Sequence, residues 1–407
     1  MTLDLVQTVA FAGVVLFIGY GLKRLVPGLT RYNIPAPVVG GLPVAVLLTL
    51  AYLQGWPPLV TFNTTLQAPL NIAFFTSVGF GASVTLLRRG GPLVVMFTLI
   101  AAAVAVAQNV VGAITAAALG QPPLMGVLAG SVTLTGGPAT GLAFAPLFEQ
   151  AGVTGAPVLA VAAAMVGIVA GGLLGGPIGT YLLERRVRPA PASQGPPGTL
   201  ANLAEDRFPT TATPTPSGED VEAYHLAKHL VLMLAAMWFG AWVSTWMAGQ
   251  GLTLPAYIGA MIVAAIFRNL DDATGVIGMS QRTIDDLGTV ALSLFLVMAL
   301  MTLRLWELAG VVLPLLIILA AQVALIALVC VLVVPRVMGR DYDAVVMSTG
   351  FCGFMLGTTA NAMANMGALV ERYGPAPKAY LVVPLVGAFG IDLVNAILIT
   401  LALNLFA

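Results

Sequence analysis

Charge is what this sequence has least of. Of its 407 residues, 8% are charged and 59% are hydrophobic, against about 25% charged in an ordinary soluble chain. That excludes a soluble globular domain and defines an all-α polytopic membrane protein. No nucleic acid is expected as a partner. Cysteine is nearly absent: Cys330 and Cys352 both lie in apolar segments, so neither a disulfide framework nor a zinc site has support. The two histidines, His225 and His229, have a metal-like spacing, but no Glu follows His225 as an H-E-x-x-H site requires. A juxtamembrane basic face is expected there instead. No basic residue precedes the first apolar run, as a signal peptide needs. That run is read as a retained membrane helix.

Apolar spans fall at 5–22, 34–53, 66–87, 91–119, 124–147 and 156–182, by the rule that about 20 apolar residues cross a bilayer. A polar stretch at 184–225, rich in Pro, Ser, Thr and Gly, follows as a flexible linker. Six more spans lie at 226–248, 253–267, 285–303, 307–334, 343–366 and 379–406. The two sets share one register at a constant offset of 220. Pro35-Ala36 pairs with Pro255-Ala256, Gly137 with Gly357, Ala156-Pro157 with Ala376-Pro377, and Val166-Gly167 with Val386-Gly387. Residues 1–183 and 226–407 therefore read as two structural repeats.

One span in each repeat is not a plain helix. Ser131-Val-Thr-Leu-Thr-Gly-Gly-Pro-Ala-Thr140 carries hydroxyls, glycines and a proline inside an apolar run. Ser348 to Asn365 echoes it, with Gly357-Thr-Thr359 at its centre. Irregular backbone at membrane depth is tolerated only where protein or a cavity covers it. Both stretches, 124–147 and 343–366, are expected to be re-entrant hairpins. Cation placement agrees. With hairpins that enter and leave on one side and the N-terminus outside, every Lys and Arg except Arg304 falls on the inner face. Full crossings would split the 17 positives almost evenly. The expected topology has five crossing helices per inverted repeat, both termini outside and the linker in the cytoplasm.

A matched pair of broken segments points to a transporter's binding site. Free N–H groups at half-helix N-termini attract an anion. The candidate anion-binding residues are Thr135, Gly136, Gly137, Thr140, Thr358, Thr359 and Asn361. Asp392 lies ~20 Å along the last span at 1.5 Å per residue, where an acidic side chain marks a functional site. Asn365 and Asn395 offer oxygens to the same purpose, so a cation site, sodium, is placed at Asp392, Asn395 and Asn365. Lone membrane amides more often bond helix to helix. That is the expectation for Gln108 and Gln322, with Asn109 left open. Gly167, Gly171, Gly175 and Gly179 form a small-residue packing stripe. Trp238, Trp242 and Trp246 form an interfacial or subunit-contact stripe.

These motifs resemble those of the bacterial glutamate:sodium symporter family. The likeness is carried by Tyr32-Asn-Ile-Pro-Ala-Pro-Val-Val-Gly-Gly41, Thr135-Gly-Gly137, Gly350-Phe-Cys-Gly353, Ala364-Asn-Met366 and the run from Ala376 to Asp392. It covers the chain apart from the linker. The resemblance implies sodium-driven uptake of L-glutamate through a bacterial inner (cytoplasmic) membrane, without an organic cofactor and without enzymatic activity. It also implies a homodimer, with a scaffold at about 1–90 and 226–305 and a moving transport part at about 91–183 and 306–407. The family's first hairpin reads Gly-Gly-His-Gly-Thr, where this chain has Gly136-Gly-Pro-Ala-Thr140. The family's second carries a proline in the Thr-rich turn, where this chain has Thr359-Ala-Asn361. The other readings weighed are a sodium- or proton-coupled carrier of aspartate or a dicarboxylate, a channel, and a membrane enzyme. An intramembrane aspartyl protease needs two facing carboxylates, and only Asp392 lies mid-span, with Asp341 and Asp343 at the cytoplasmic edge.

Overall fold

The computed structural model describes residues 1–57, 59–186, 219–249 and 256–406. The linker expected at 184–225 lies outside the described residues except at its ends, which are helical. No named strand occurs among the described residues.

The first half opens with α1 (Leu5–Leu25), started by a reciprocal cap. Asp4 Oδ1 accepts from the Gln7 amide at 2.8 Å, and Gln7 Oε1 accepts from the Asp4 amide at 3.1 Å. The short α2 (Pro27–Arg31), α3 (Ala36–Leu53), α4 (Gln67–Phe80) and α5 (Val84–Ala118) follow. Next come α6 (Pro123–Val127), a π turn at Leu128–Val132, α7 (Gly137–Gln150) and α8 (Ala156–Arg186). The second half runs through α9 (Glu219–Gly249), α10 (Ala256–Thr274), α11 (Gln281–Met301) and α12 (Val312–Leu332). It continues with α13 (Val334–Val337), α14 (Tyr342–Met355), α15 (Thr359–Tyr373), α16 (Pro377–Leu385), a second π turn at Val386–Gly390, and α17 (Ile391–Phe406).

Seven of the described helices are long and apolar enough to cross a bilayer, which makes this a multi-pass membrane protein. Three expected spans are not among them, each for a visible reason. The span at 66–87 ends at Phe80. Residues from Val84 onward belong to α5, which bends at Gly91, where φ is +65° and Pro92 follows. The span at 253–267 becomes α10, which carries Arg268, Asp271 and Asp272 in its last turns. The span at 379–406 is cut by Pro384 and the π turn into α16 and α17.

Two sets of helices gather around different partners. α4, α9, α10 and α11 pack on one another, and α1 and α3 join them through α11. α5, α8, α12, α14 and α15 pack together, with Phe97 of α5 edge-on to Phe351 of α14 at 5.3 Å. Between the sets lies an apolar seam. Ala139, Leu142, Val158 and Val161 on α7 and α8 meet Val38, Phe295, Ala299 and Leu303 on and beside α3 and α11. The corner where α9, α10 and α11 meet is held by polar contacts. The Asp271 carboxylate accepts from the amides of Ile277, Gly278 and Met279 at 2.8–3.0 Å. His229 is buried there and is not a basic face: its Nε2 accepts from the Ser280 amide at 2.8 Å, which leaves Nδ1 to donate to the His225 carbonyl at 2.6 Å.

Candidate functional site

Both broken segments break where glycine and threonine cluster. In the first, the helical run from Pro123 stops at a turn over Thr135 and Gly136, and α7 starts at Gly137 with φ +70°. Only glycine takes that conformation readily. Pro138 then occupies the first turn of α7, where a missing N–H costs little. In the second, α14 ends at Met355, and Leu356–Gly357 turn the chain into α15. Thr358 caps α15, its hydroxyl accepting from the Asn361 amide at 3.3 Å.

The two breaks meet. A methyl group built on Gly137 would lie 3.4 Å from the Gly357 carbonyl oxygen and 3.9 Å from Thr358 Cγ2. The N-termini of α7 and α15 therefore converge, each bringing unpaired amides and the positive end of its helix dipole. Thr135, Gly137, Thr140 and Asn361 are buried, while Gly136, Thr358 and Thr359 are partly open. Ala139 belongs to the apolar seam shared with α3 and α11.

Side-chain amides hold this ground in place. Gln108 of α5 is fully buried and touches both breaks. Its Oε1 accepts from Thr135 Oγ1 at 2.7 Å, and its Nε2 donates to the Met355 carbonyl at 3.1 Å. Gln322 of α12 donates to the Gln108 backbone carbonyl at 2.7 Å. Both glutamines bond helix to helix, as expected, but Gln108 also positions a candidate site residue. Nothing in its sequence surroundings separates it from Gln322.

Asn361 and Asn365 share one face of α15 and both reach α8. Asn361 Nδ2 donates to the Ile168 carbonyl at 2.7 Å, and Asn365 Nδ2 to the Gly171 carbonyl at 3.0 Å. The glycine stripe of α8 makes this approach feasible. A Cβ on Gly167 would strike Leu356, and one on Gly175 would strike the Asn365 amide. Thr359 Oγ1 donates to the Gly387 carbonyl of the second π turn at 3.2 Å.

Asn395 stands elsewhere. It bonds the first break, donating from Nδ2 to the Ser131 carbonyl at 2.9 Å. The Ser131 amide in turn donates to Asn109 Oδ1 at 3.2 Å. Gly130 beside it leaves helical geometry, with φ −101° and ψ −126°. Asp392 lies in the first turn of α17, directly after the second π turn. Asn365 and Asn395 thus answer to different neighbours, one on α8 and one on the first π turn. Ser131 and Asn109 join Asn395 as polar residues of this region. Their signal was a serine and an amide inside apolar runs. Among the described residues, His, Cys, Asp and Glu nowhere gather in threes.

Two long helices, each followed by a broken segment whose free end meets the other inside the protein, define a class: a polytopic membrane protein built around a buried polar centre. The sequence comparisons give the family. Residues 1–375 match the sodium/glutamate symporter family. The chain is 42% identical over 406 residues to the sodium/glutamate symporter of Escherichia coli (strain K12), covering 99% of this chain and 98% of that one. It is 40% identical over 400 residues to that of Haemophilus influenzae, covering 98% and 96%. This chain belongs to the sodium/glutamate symporter family. No solved structure matches it.

Proposed function

We propose that this protein carries L-glutamate together with sodium across the bacterial cytoplasmic membrane by alternating access. The observation that carries the reading is the convergence of two helix N-termini at Gly137 and Thr358. An acidic solute needs such a place, because the described mid-span residues bring no arginine to it. Its carboxylates rest on the amides and hydroxyls of Thr135, Gly136, Gly137, Thr140, Thr358, Thr359 and Asn361. Sodium uses oxygens around Asp392, Asn395 and Asn365. Coupling follows if sodium fixes the broken segments in the shape that binds glutamate better.

On this reading the broken segments are re-entrant hairpins in two inverted repeats, and the α5–α8 and α12–α17 set moves against the rest as an elevator. The apolar seam supports it, since such a boundary slides without leaving hydrogen bonds unmade. Trp238, Trp242 and Trp246 are 62–69% exposed on α9 and suit a lipid-facing or homodimer surface of the scaffold. The inverted topology places Thr154 outside and Glu371 inside, both being exposed loop or helix-end positions. Thr154→Cys and Glu371→Cys should label from opposite faces of sealed vesicles. The native Cys330 and Cys352 are buried and stay silent. Labelling of both positions from one face rejects the topology.

Substrate class has its own test. Thermal unfolding in sodium should shift upward with L-glutamate at lower concentration than with aspartate or a dicarboxylate. Equal shifts from all three move the assignment to a general acidic-solute carrier.

A further inference from the structure

The first π turn and the last helix share a cluster of polar groups with an uneven outcome. Ser131 is 0% exposed and Asn395 is 1% exposed. The Ser131 backbone amide and one Asn395 N–H are already committed. The Ser131 amide goes to Asn109 Oδ1, and the Asn395 amide nitrogen goes to the Ser131 carbonyl. That second bond also fixes which way the Asn395 amide is turned, since its nitrogen must face the carbonyl. Ser131 Oγ and Asn395 Oδ1 are both buried, and neither has a partner. Leaving such atoms unmatched is costly, so a group that satisfies them is expected in the working protein.

A cation suits this pair, because it takes the lone pairs of Asn395 Oδ1 and of Ser131 Oγ together while the hydroxyl keeps its proton. Amide and hydroxyl oxygens are hard ligands, which select alkali and alkaline-earth ions over softer metals. Ser131 and Asn395 add no charge to the single carboxylate, Asp392, assigned to the same ion, which favours a monovalent one. Two further features frame it. Gly130 departs from helical geometry immediately before Ser131, and α17 packs directly on this π turn. Asn109 Oδ1 keeps a second lone pair beside them. We propose that Ser131 Oγ and Asn395 Oδ1 ligate the coupling sodium between the Leu128–Val132 turn and α17. The proposal rests on sodium being the coupling ion and adds a ligand from the first half of the chain. It also gives coupling a route. The ion fastens the segment that leads, four residues later, to Thr135 and the Gly137 tip, so sodium orders the glutamate-binding end.

The test uses the purified full-length protein in detergent, titrated with sodium chloride against choline chloride at constant ionic strength, with thermal unfolding as the readout. Wild type should gain stability with sodium. Ser131→Ala removes one ligand and should raise the half-maximal sodium concentration at least ~10-fold, as ligand-sphere losses do. In choline the same variant should melt at or above the wild-type temperature, because it deletes an unmatched buried hydroxyl. Ser131→Cys, which keeps the volume and swaps oxygen for sulfur, should lose sodium sensitivity likewise. A wild-type sodium titration in both variants overturns the site while leaving sodium coupling intact. Equal destabilisation of Ser131→Ala in choline and in sodium also overturns it, since that marks a purely structural hydroxyl. No sodium response in wild type overturns the coupling-ion reading, and this site with it.

Discussion

Gln108 and Gln322 look alike in sequence, yet hydrogen-bond accounting separates their mutants. Gln108→Met keeps the length and apolar stem of the side chain and deletes both polar ends. It leaves the Thr135 hydroxyl only a long, weak contact to Met355 Sδ at 3.9 Å and strands the Met355 carbonyl, which sits at the end of α14, where helix carbonyls lack partners. At about 1–3 kcal/mol per buried unmade bond, the cost of the two is about 2–6 kcal/mol. Gln322→Met loses one bond, to a carbonyl in the interior of α5, and simultaneously removes Gln322 Oε1, a buried oxygen without a partner. Those effects oppose each other, so its cost is about 0–1 kcal/mol. Because Gln108 ties both breaks, much of its cost falls on substrate binding. Each 1.4 kcal/mol is tenfold, so KM for glutamate should rise at least ~10-fold in Gln108→Met and less than ~5-fold in Gln322→Met. Sodium-driven uptake into proteoliposomes gives KM, and detergent thermal unfolding confirms that both variants are folded. Equal losses in the two variants, or an unaffected Gln108→Met, refute the reasoning.

Three further outcomes follow from single contacts. Gly167→Ala puts a methyl group into Leu356 and within 2.5 Å of Leu134 Cδ2, so it should cost about 1–3 kcal/mol. Gly172→Ala, one turn on and facing open space, should stay within about 0.5 kcal/mol of wild type in the same unfolding assay. Burial raises the Asp271 pKa, but the amides of Met279, Ile277 and Gly278, with Arg268, outweigh it and hold the carboxyl below its usual 3.8. Its folded pKa is therefore lower than its unfolded one. The stability it adds is present above 3.8 and lost as pH falls through the folded value. Asp271→Asn should flatten the acid limb of a thermal-stability profile and lower stability at neutral pH. Asp392→Asn should remove sodium stimulation of glutamate uptake, and stimulation retained in that variant removes Asp392 from the cation site.

The breaks at Gly136-Gly137 and Gly357-Thr358 were legible because glycine, proline and hydroxyl residues inside apolar runs have few other uses at that depth. Their convergence was not, since nothing local says that Gly137 faces Gly357. The glycine stripe of α8 was readable as packing. Its second consequence, helix carbonyls open to Asn361 and Asn365, appears only once α15 lies against it. Gln108 could not be told from Gln322 by type or depth, because what distinguishes them is the ends of α14 and of the first break. The bend at Gly91 and the π turn at Val386–Gly390 shifted element bounds because glycine and proline there interrupt helices that their hydrophobicity alone would carry through. His229 misled the reading because a neutral imidazole, bonded at both nitrogens, is a comfortable buried group.

Uptake of labelled L-glutamate into proteoliposomes of the purified protein tests the central claim most directly, first with an inward sodium gradient and then with potassium in its place. Sodium-coupled symport predicts accumulation above the equilibrium level with sodium and none with potassium. Equal accumulation under both gradients, or none under either in protein that sodium and glutamate fail to stabilise, contradicts it.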